Sequence, residues 1–248
     1  MRLRLLAPLT LFALLLAPAP ARCQEEPIGP ERIRRMEARD SACAVTFDDG
    51  PGRHTGALLD ILKARKVRAT FFVLGQQAAE HPEIIRRMVA EGHEVDNHSY
   101  DHPVFRHLSP ERQREEMERT EQVLRGLGIA PRFFRPPYGL YNAETVRLAA
   151  EEHMVLALWS VDSQDWKYRT LEGVESRVLP GKGGRAEGVF LFHDIHQTTV
   201  KFMGDVLDKL AADGCRFVTL GQWMEELSRV AVEKPGETPG AKPAGEGR

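Results

Sequence analysis

The chain has 248 residues, 42% of them hydrophobic and 28% charged, with a formal net charge of −2. That length suits one domain with a sizeable core and leaves little for a second. The near-neutral balance supplies no basic field for nucleic acid and no polybasic stripe for an anionic membrane surface, so neither partner is expected.

At the start of the chain, Arg2 and Arg4 precede an apolar run from Leu5 to Leu16, and small residues and prolines follow to Ala21. This is the pattern of a secretory signal peptide, assigned to residues 1–23. The run falls short of the roughly 20 residues that cross a bilayer, so stable membrane insertion is not expected. Export to the periplasm or the extracellular space follows. Residues 24–40 are charged and contain proline, and read as a lead-in segment. Cleavage after Ala21 and after Cys23 both fit; of the three cysteines, processing that removes Cys23 leaves Cys43 and Cys215 in a compartment where disulfides persist. Each opens a strand pattern; a bridge between them and two buried free thiols both fit.

From Cys43 onward, short β-branched or aromatic runs alternate with amphipathic stretches. The strand patterns are Cys43–Phe47, Ala69–Leu74, Glu94–Asn97, Arg132–Arg135, Val155–Val161, Val189–His193 and Cys215–Leu220, seven in all. Between them Leu58, Leu59 and Leu62 share a helical face, as do Ile84, Ile85, Met88 and Val89. Met203, Val206, Leu207 and Leu210 repeat at helical spacing. Ser109 before Pro110 and Asn142 before Ala143 mark helix starts, while Gly92, Gly128 and Gly214 mark stops. Such alternation implies a parallel α/β sheet with helical crossovers, a barrel when closed or nearly so, in a single domain over residues 41–229. Residues 230–248, rich in Pro, Gly, Lys and Glu, read as a disordered tail. Nothing indicates an oligomer, and a monomer is expected.

In parallel α/β folds, functional side chains gather at the carboxyl ends of strands. Polar clusters stand at those points. Asp48 and Asp49 follow the first strand; neighbouring carboxylates there point in different directions, so one can hold a metal while the other takes a proton, although an acidic turn built on Gly50 and Pro51 fits as well. His98 and His102 follow the third strand, at a spacing that puts both imidazoles on one side of a helical turn. With a carboxylate from the first strand they form a His, His, Asp set that leaves a coordination position for water. The nitrogen and oxygen donors favour zinc, with cobalt, nickel, manganese and iron as alternatives. Arg135, Pro136, Pro137, Tyr138 and Gly139 form a stiff turn able to present a cation and a backbone N–H. Asp165 and Trp166 follow the fifth strand. Leu191 and His193 close the sixth, where a carboxylate near the imidazole would favour its protonated form. Taken alone, Trp166 reads as core packing and His193 as a strand-end histidine.

In order and separation, the segments TFDDGP, HSYDH, RPPYG, DW and LFH match five motifs of one family. The chain resembles the polysaccharide deacetylases, carbohydrate esterase family 4 with its nodulation-protein-type domain, from about Cys43 to about Leu227. The resemblance implies an irregular (β/α)7 barrel and N-deacetylation of an N-acetylated glycan such as peptidoglycan or a chitin-like polymer. It implies Asp48 as catalytic base, Asp49, His98 and His102 as metal ligands, and Arg135 orienting Asp48. It further implies the Tyr138 N–H facing the oxyanion, Asp165 tuning the acid His193, and Trp166 and Leu191 lining the acetyl pocket. Asp96 departs from the pattern, since relatives commonly carry a small residue there, a change able to alter the metal's outer shell or the local charge. Rival readings are an O-acetyl esterase acting on a xylan-like polymer and an inactive carbohydrate-binding protein on the same scaffold.

Overall fold

The computed structural model describes residues 41–181 and 184–233, with side chains described as far as residue 226. The expected signal peptide, the lead-in segment and the tail beyond Glu233 lie outside the described residues. Among those described, no helix is long and apolar enough to cross a membrane.

Eight strands form one sheet: β1 (Ala42–Asp48), β2 (Thr70–Val73), β3 (Glu94–Asn97), β4 (Phe133–Phe134), β5 (Val155–Leu156), β6 (Val161–Asp162), β7 (Gly188–His193) and β8 (Arg216–Val218). Their order is β5-β4-β3-β2-β1-β7-β6, with β8 also on β1, and every pairing is parallel. The expected strand Val155–Val161 is in fact two short strands on opposite ends of this path. Residues 157–160 bridge them: the Ala157 N–H donates to the Phe134 carbonyl and the Ser160 N–H to that of Val189, 2.9 Å each. One bent segment thus ties the two sheet ends together, which makes the curled sheet a (β/α)7-type barrel. The third strand has the expected limits and the first and sixth extend by one or two residues, whereas those expected at Ala69–Leu74, Arg132–Arg135 and Cys215–Leu220 are shorter; Arg135 leaves the sheet before Pro136 and Leu220 already begins a helix.

The helices are α1 (Thr55–Arg65), α2 (Gly75–Glu80), α3 (Pro82–Ala90), α4 (Pro110–Gly126), α5 (Ala143–Glu151), α6 (Leu171–Val178), α7 (Gln197–Ala212) and α8 (Leu220–Glu233). Helix α8 runs through the first four residues of the expected tail. Ser109 caps α4 by accepting from the Arg112 N–H, and Asn142 with Thr145 forms a reciprocal capping box on α5. Gly92, Gly128 and Gly214 have φ of 82°, 82° and 84°, the left-handed conformation that ends a helix at least cost in glycine.

Alternation along β1 sorts its side chains into two cores. Cys43, Val45 and Phe47 point outward into a cluster with Phe71, Phe192, Leu62 and Met203 under the helices. Ala42 and Ala44 point into the barrel with Phe72, Phe133, Val189 and Trp223. Phe47 is fully buried and stacks on Phe71 at 5.3 Å, so truncation to Ala is expected to cost about 3–5 kcal/mol. Of the two states open to the cysteines, the structure has the bridge: Cys43 and Cys215 form a disulfide with Cα atoms 5.8 Å apart, pinning the approach to β8 beside the start of β1.

Candidate metal centre and active site

Strand register sets the site. Asp48 ends β1 opposite His193 at the end of β7, so these two residues leave adjacent parallel strands at the same level. Asp49 follows with a left-handed backbone, φ 77°, which turns its side chain away from that of Asp48.

Asp48 is 3% exposed and would be unfavourable there as an unpaired charge. Arg135 answers it. Its Nη1 donates to Asp48 Oδ1 and to Thr46 Oγ1, each at 2.7 Å, and its Nε and Nη2 reach the carbonyls of Ala157 and Leu158 at 3.3 and 3.0 Å. The guanidinium carbon lies 3.9 Å from the Phe72 ring centroid. Burial lowers the Arg135 pKa and the Asp48 carboxylate raises it. A guanidinium with these partners stays charged, so the cost of burying it, several kcal/mol, is offset by four hydrogen bonds and one counter-ion.

His98 and His102 stand on a loop rather than on the expected helical turn. Ser99 and His102 adopt φ of 74° and 67°, and Pro103 disfavours helical backbone at His102. Asn97 Oδ1 captures the Ser99 N–H at 2.9 Å, an alternative to helical hydrogen bonding. The imidazoles still converge, with ring centroids 5.1 Å apart. His98 Nδ1 lies 2.7 Å from the Arg135 carbonyl, an acceptor only, so Nδ1 carries the proton and Nε2 presents a lone pair.

Asp49 Oδ1 lies 3.4 Å from His98 Nε2 and 3.2 Å from His102 Nε2, and the candidate ligand atoms of these three residues all fall within 4.8 Å of one another. That oxygen is buried and makes no hydrogen bond, although two ring nitrogens face it. Burial raises the Asp49 pKa, but His98 first and then His193 and His102, in their protonated forms, pull it well below the usual carboxylate range. An orphaned carboxylate oxygen facing two imidazole lone pairs is the donor set of a divalent cation with a coordination position left open, and the residues fit one. Burial lowers the His102 pKa, which also keeps its nitrogen available.

Across the cleft, His193 Nδ1 lies 2.7 Å from Asp165 Oδ1. Asp165 Oδ2 accepts from the His193 N–H and the Thr199 hydroxyl, both at 2.8 Å. Burial works against the charged imidazole, yet the bond to Asp165 and the charges of Asp165, Asp48 and Asp49 push His193 up to about 9. For Asp165, burial acts upward but the His193 contacts win and its pKa is lowered. An imidazolium held beside a carboxylate is a poised proton donor.

A cleft of about 550 Å³ opens over these groups, lined among others by Asp48, Asp49, His98, His102, His193 and Leu191. Arg135 and Asp165 are fully buried behind the residues they contact. Trp166, 51% exposed, stands at the mouth with Tyr138 rather than in the core. Tyr138 sits in a 3-10 turn, Pro137–Gly139, with φ 61°. The N–H groups of Gly139 and Leu140 are taken up by the carbonyls of Pro136 and Pro137; among the described hydrogen bonds none takes that of Tyr138. Asp96 is buried in the sheet beneath this constellation: its Oδ1 accepts from the N–H groups of Arg132 and Phe133 at 2.8 and 3.0 Å, fixing the entry to β4, and its charge acts on Arg135.

Three supporting residues were not legible in the sequence. Thr199 lies in the first turn of α7 within a run that reads as helix surface. Asp194 is fully buried, accepts from Thr55 Oγ1 at 2.5 Å, and is pushed up to about 7 chiefly by burial. Glu116 lies on α4, whose many charges suggest a solvated face; the one signal was its helical spacing from Gln113 and Thr120, all three of them fully buried.

Comparison with known proteins bears on this geometry. A family model described as polysaccharide deacetylase matches residues 35–156. The peptidoglycan-N-acetylglucosamine deacetylase PgdA of Listeria monocytogenes is 40% identical over 192 residues, 77% of this chain; the chain spans 40% of the length of that relative. A chitooligosaccharide deacetylase of Bradyrhizobium is 38% identical over 153 residues, 60% of this chain and 69% of that protein. The solved structure of the peptidoglycan deacetylase PdaC from Bacillus subtilis superposes with a TM-score of 0.71 at 36% identity, over 79% of this chain and 96% of that one.

Proposed function

Because the chain belongs to the polysaccharide deacetylase family, we propose that it is an exported, metal-dependent hydrolase that removes N-acetyl groups from an N-acetylhexosamine polymer. The observation that carries this reading is the meeting of Asp49, His98 and His102 within 4.8 Å, with Asp48 and His193 on adjoining strand ends. The names of the relatives, peptidoglycan and chitooligosaccharide deacetylases, favour peptidoglycan or a chitin-like glycan as the substrate class. Residues 41–229 form the catalytic domain and residues 1–23 the signal that exports it as a monomer.

A divalent cation held by Asp49, His98 and His102, with zinc favoured by the donors, supplies Lewis acidity toward the acetamide carbonyl and toward an attacking water. Asp48 takes the proton of that water. Arg135 aims the Asp48 carboxylate, because its own position is fixed by three further acceptors. The Tyr138 N–H faces the oxyanion as it develops. His193, held charged by Asp165, gives its proton to the departing amine, so acetate and a free amino sugar leave. Leu191 and Trp166 wall the acetyl group, the first buried and the second open to the glycan.

The test is acetate release by metal-reconstituted protein from N-acetylated and O-acetylated glycans offered side by side. Release from the N-acetylated polymers supports the proposal. Release confined to O-acetylated xylan replaces it with the esterase reading, and glycan binding without any acetate with the inactive one.

A further inference from the structure

We propose that Glu116, on helix α4, is a positioning residue for the metal site, acting on the loop that carries both histidine ligands; the proposal rests on the function proposed above. The loop from His98 to His102 is irregular and has two residues, Ser99 and His102, at positive φ, a conformation that persists only where the surroundings over-determine it. Its backbone is held from every side. The Ser99 N–H goes to Asn97 Oδ1 at 2.9 Å and the His102 N–H to Ser99 Oγ at 3.2 Å. The carbonyls of Ser99 and Tyr100 accept from the N–H groups of Gly75 and Gln76 at the start of α2.

Between these anchors the N–H groups of Tyr100 and Asp101 both point at one atom, Glu116 Oε2, at 3.0 and 3.1 Å. Glu116 is fully buried, while its other oxygen meets Arg112 at 3.3 Å. Two adjacent donors bound to one carboxylate oxygen fix the peptide planes between the two histidines, and so fix where each imidazole points. Glu116 lies in no contact with the cleft, so its effect runs through the ligand loop. Outer groups that orient metal ligands typically govern affinity by about 10–100-fold.

The test compares Glu116→Ala, Glu116→Met and Glu116→Gln with Gln113→Ala, a change on the same helix. Gln113 is buried and bonded to Leu108 and Thr145, and has no bond to the ligand loop. Zinc affinity by competition with a chromophoric chelator, and the visible absorption of the cobalt-substituted protein, are read beside thermal unfolding. Glu116→Ala and Glu116→Met are expected to weaken zinc roughly 10–100-fold and to change the cobalt spectrum. Glu116→Gln, whose amide oxygen can accept both N–H groups, recovers most of the affinity, and Gln113→Ala loses thermal stability without moving either metal readout. If Glu116→Ala does not fold, the isosteric Met variant carries the comparison. Folded Ala or Met variants with wild-type zinc affinity and cobalt spectrum overturn the inference, whereas wild-type protein that binds no zinc overturns the proposed function itself.

Discussion

Arg135 Nη1 lies 2.7 Å from Asp48 Oδ1, and both side chains are closed off from solvent. Without Arg135 the carboxylate loses its hydrogen-bonded cation, whereas Arg135 without the carboxylate charge keeps three neutral acceptors. Replacing Arg135 with Met is therefore expected to cost about 3–5 kcal/mol in urea unfolding, because it strands a buried carboxylate. Adding Asp48→Asn to that variant should return much of the loss. Equal stabilities for the single and double variants would contradict the pairing argument.

The His193–Asp165 contact sets a pH dependence. His193 is raised from 6.5 to about 9, so the proposed acid is charged through neutral pH and activity is expected to fall as pH rises through the His193 pKa. By the same sign, its contribution to folding is complete below 6.5 and lost as pH rises through about 9. Ring-nitrogen NMR on metal-free protein should show His193 titrating near 9 and, in Asp165→Asn, well below that. An unmoved titration would remove Asp165 from the account.

Asp48→Asn keeps the shape of the side chain and an oxygen for Arg135 but removes the proposed base. Turnover is expected to fall by roughly 100-fold or more. Zinc content should be unchanged, because Asp48 is not among the ligands. A variant with near-normal turnover refutes the base, and one that has lost its metal refutes the division of labour between Asp48 and Asp49.

Cys43 and Cys215 are 172 residues apart in the chain. A cross-link over so long a loop restricts the unfolded chain, so Cys43→Ser with Cys215→Ser is expected to cost about 2–5 kcal/mol. Non-reducing mass mapping should recover the two cysteines as one linked peptide pair. Two free thiols in the mature folded protein would contradict the bridge.

Much of this architecture was legible in the sequence because it rests on local chemistry. The strand runs, the caps Ser109 and Asn142 and the glycine stops each follow from one or two residues, and the polar clusters fall where parallel strands end. What failed to show was long-range. The segment around Ala157 reads as one strand, and only closure of the sheet splits it between two edges. The His98–His102 spacing suggests a helical turn, whereas Asn97, Glu116 and the start of α2 impose a loop from outside the motif. Glu116 looks like one more charge on a solvated helix until α4 is packed against that loop.

The central claim, that Asp49, His98 and His102 hold one cation on which hydrolysis depends, is tested most directly by acetate release from an N-acetylglucosamine oligomer before and after metal removal. Protein stripped with a chelator should stay folded and release no acetate, and one equivalent of zinc should restore the rate in the wild type but not in His98→Ala or His102→Ala. Stripped, folded protein that hydrolyses at an undiminished rate would contradict the account.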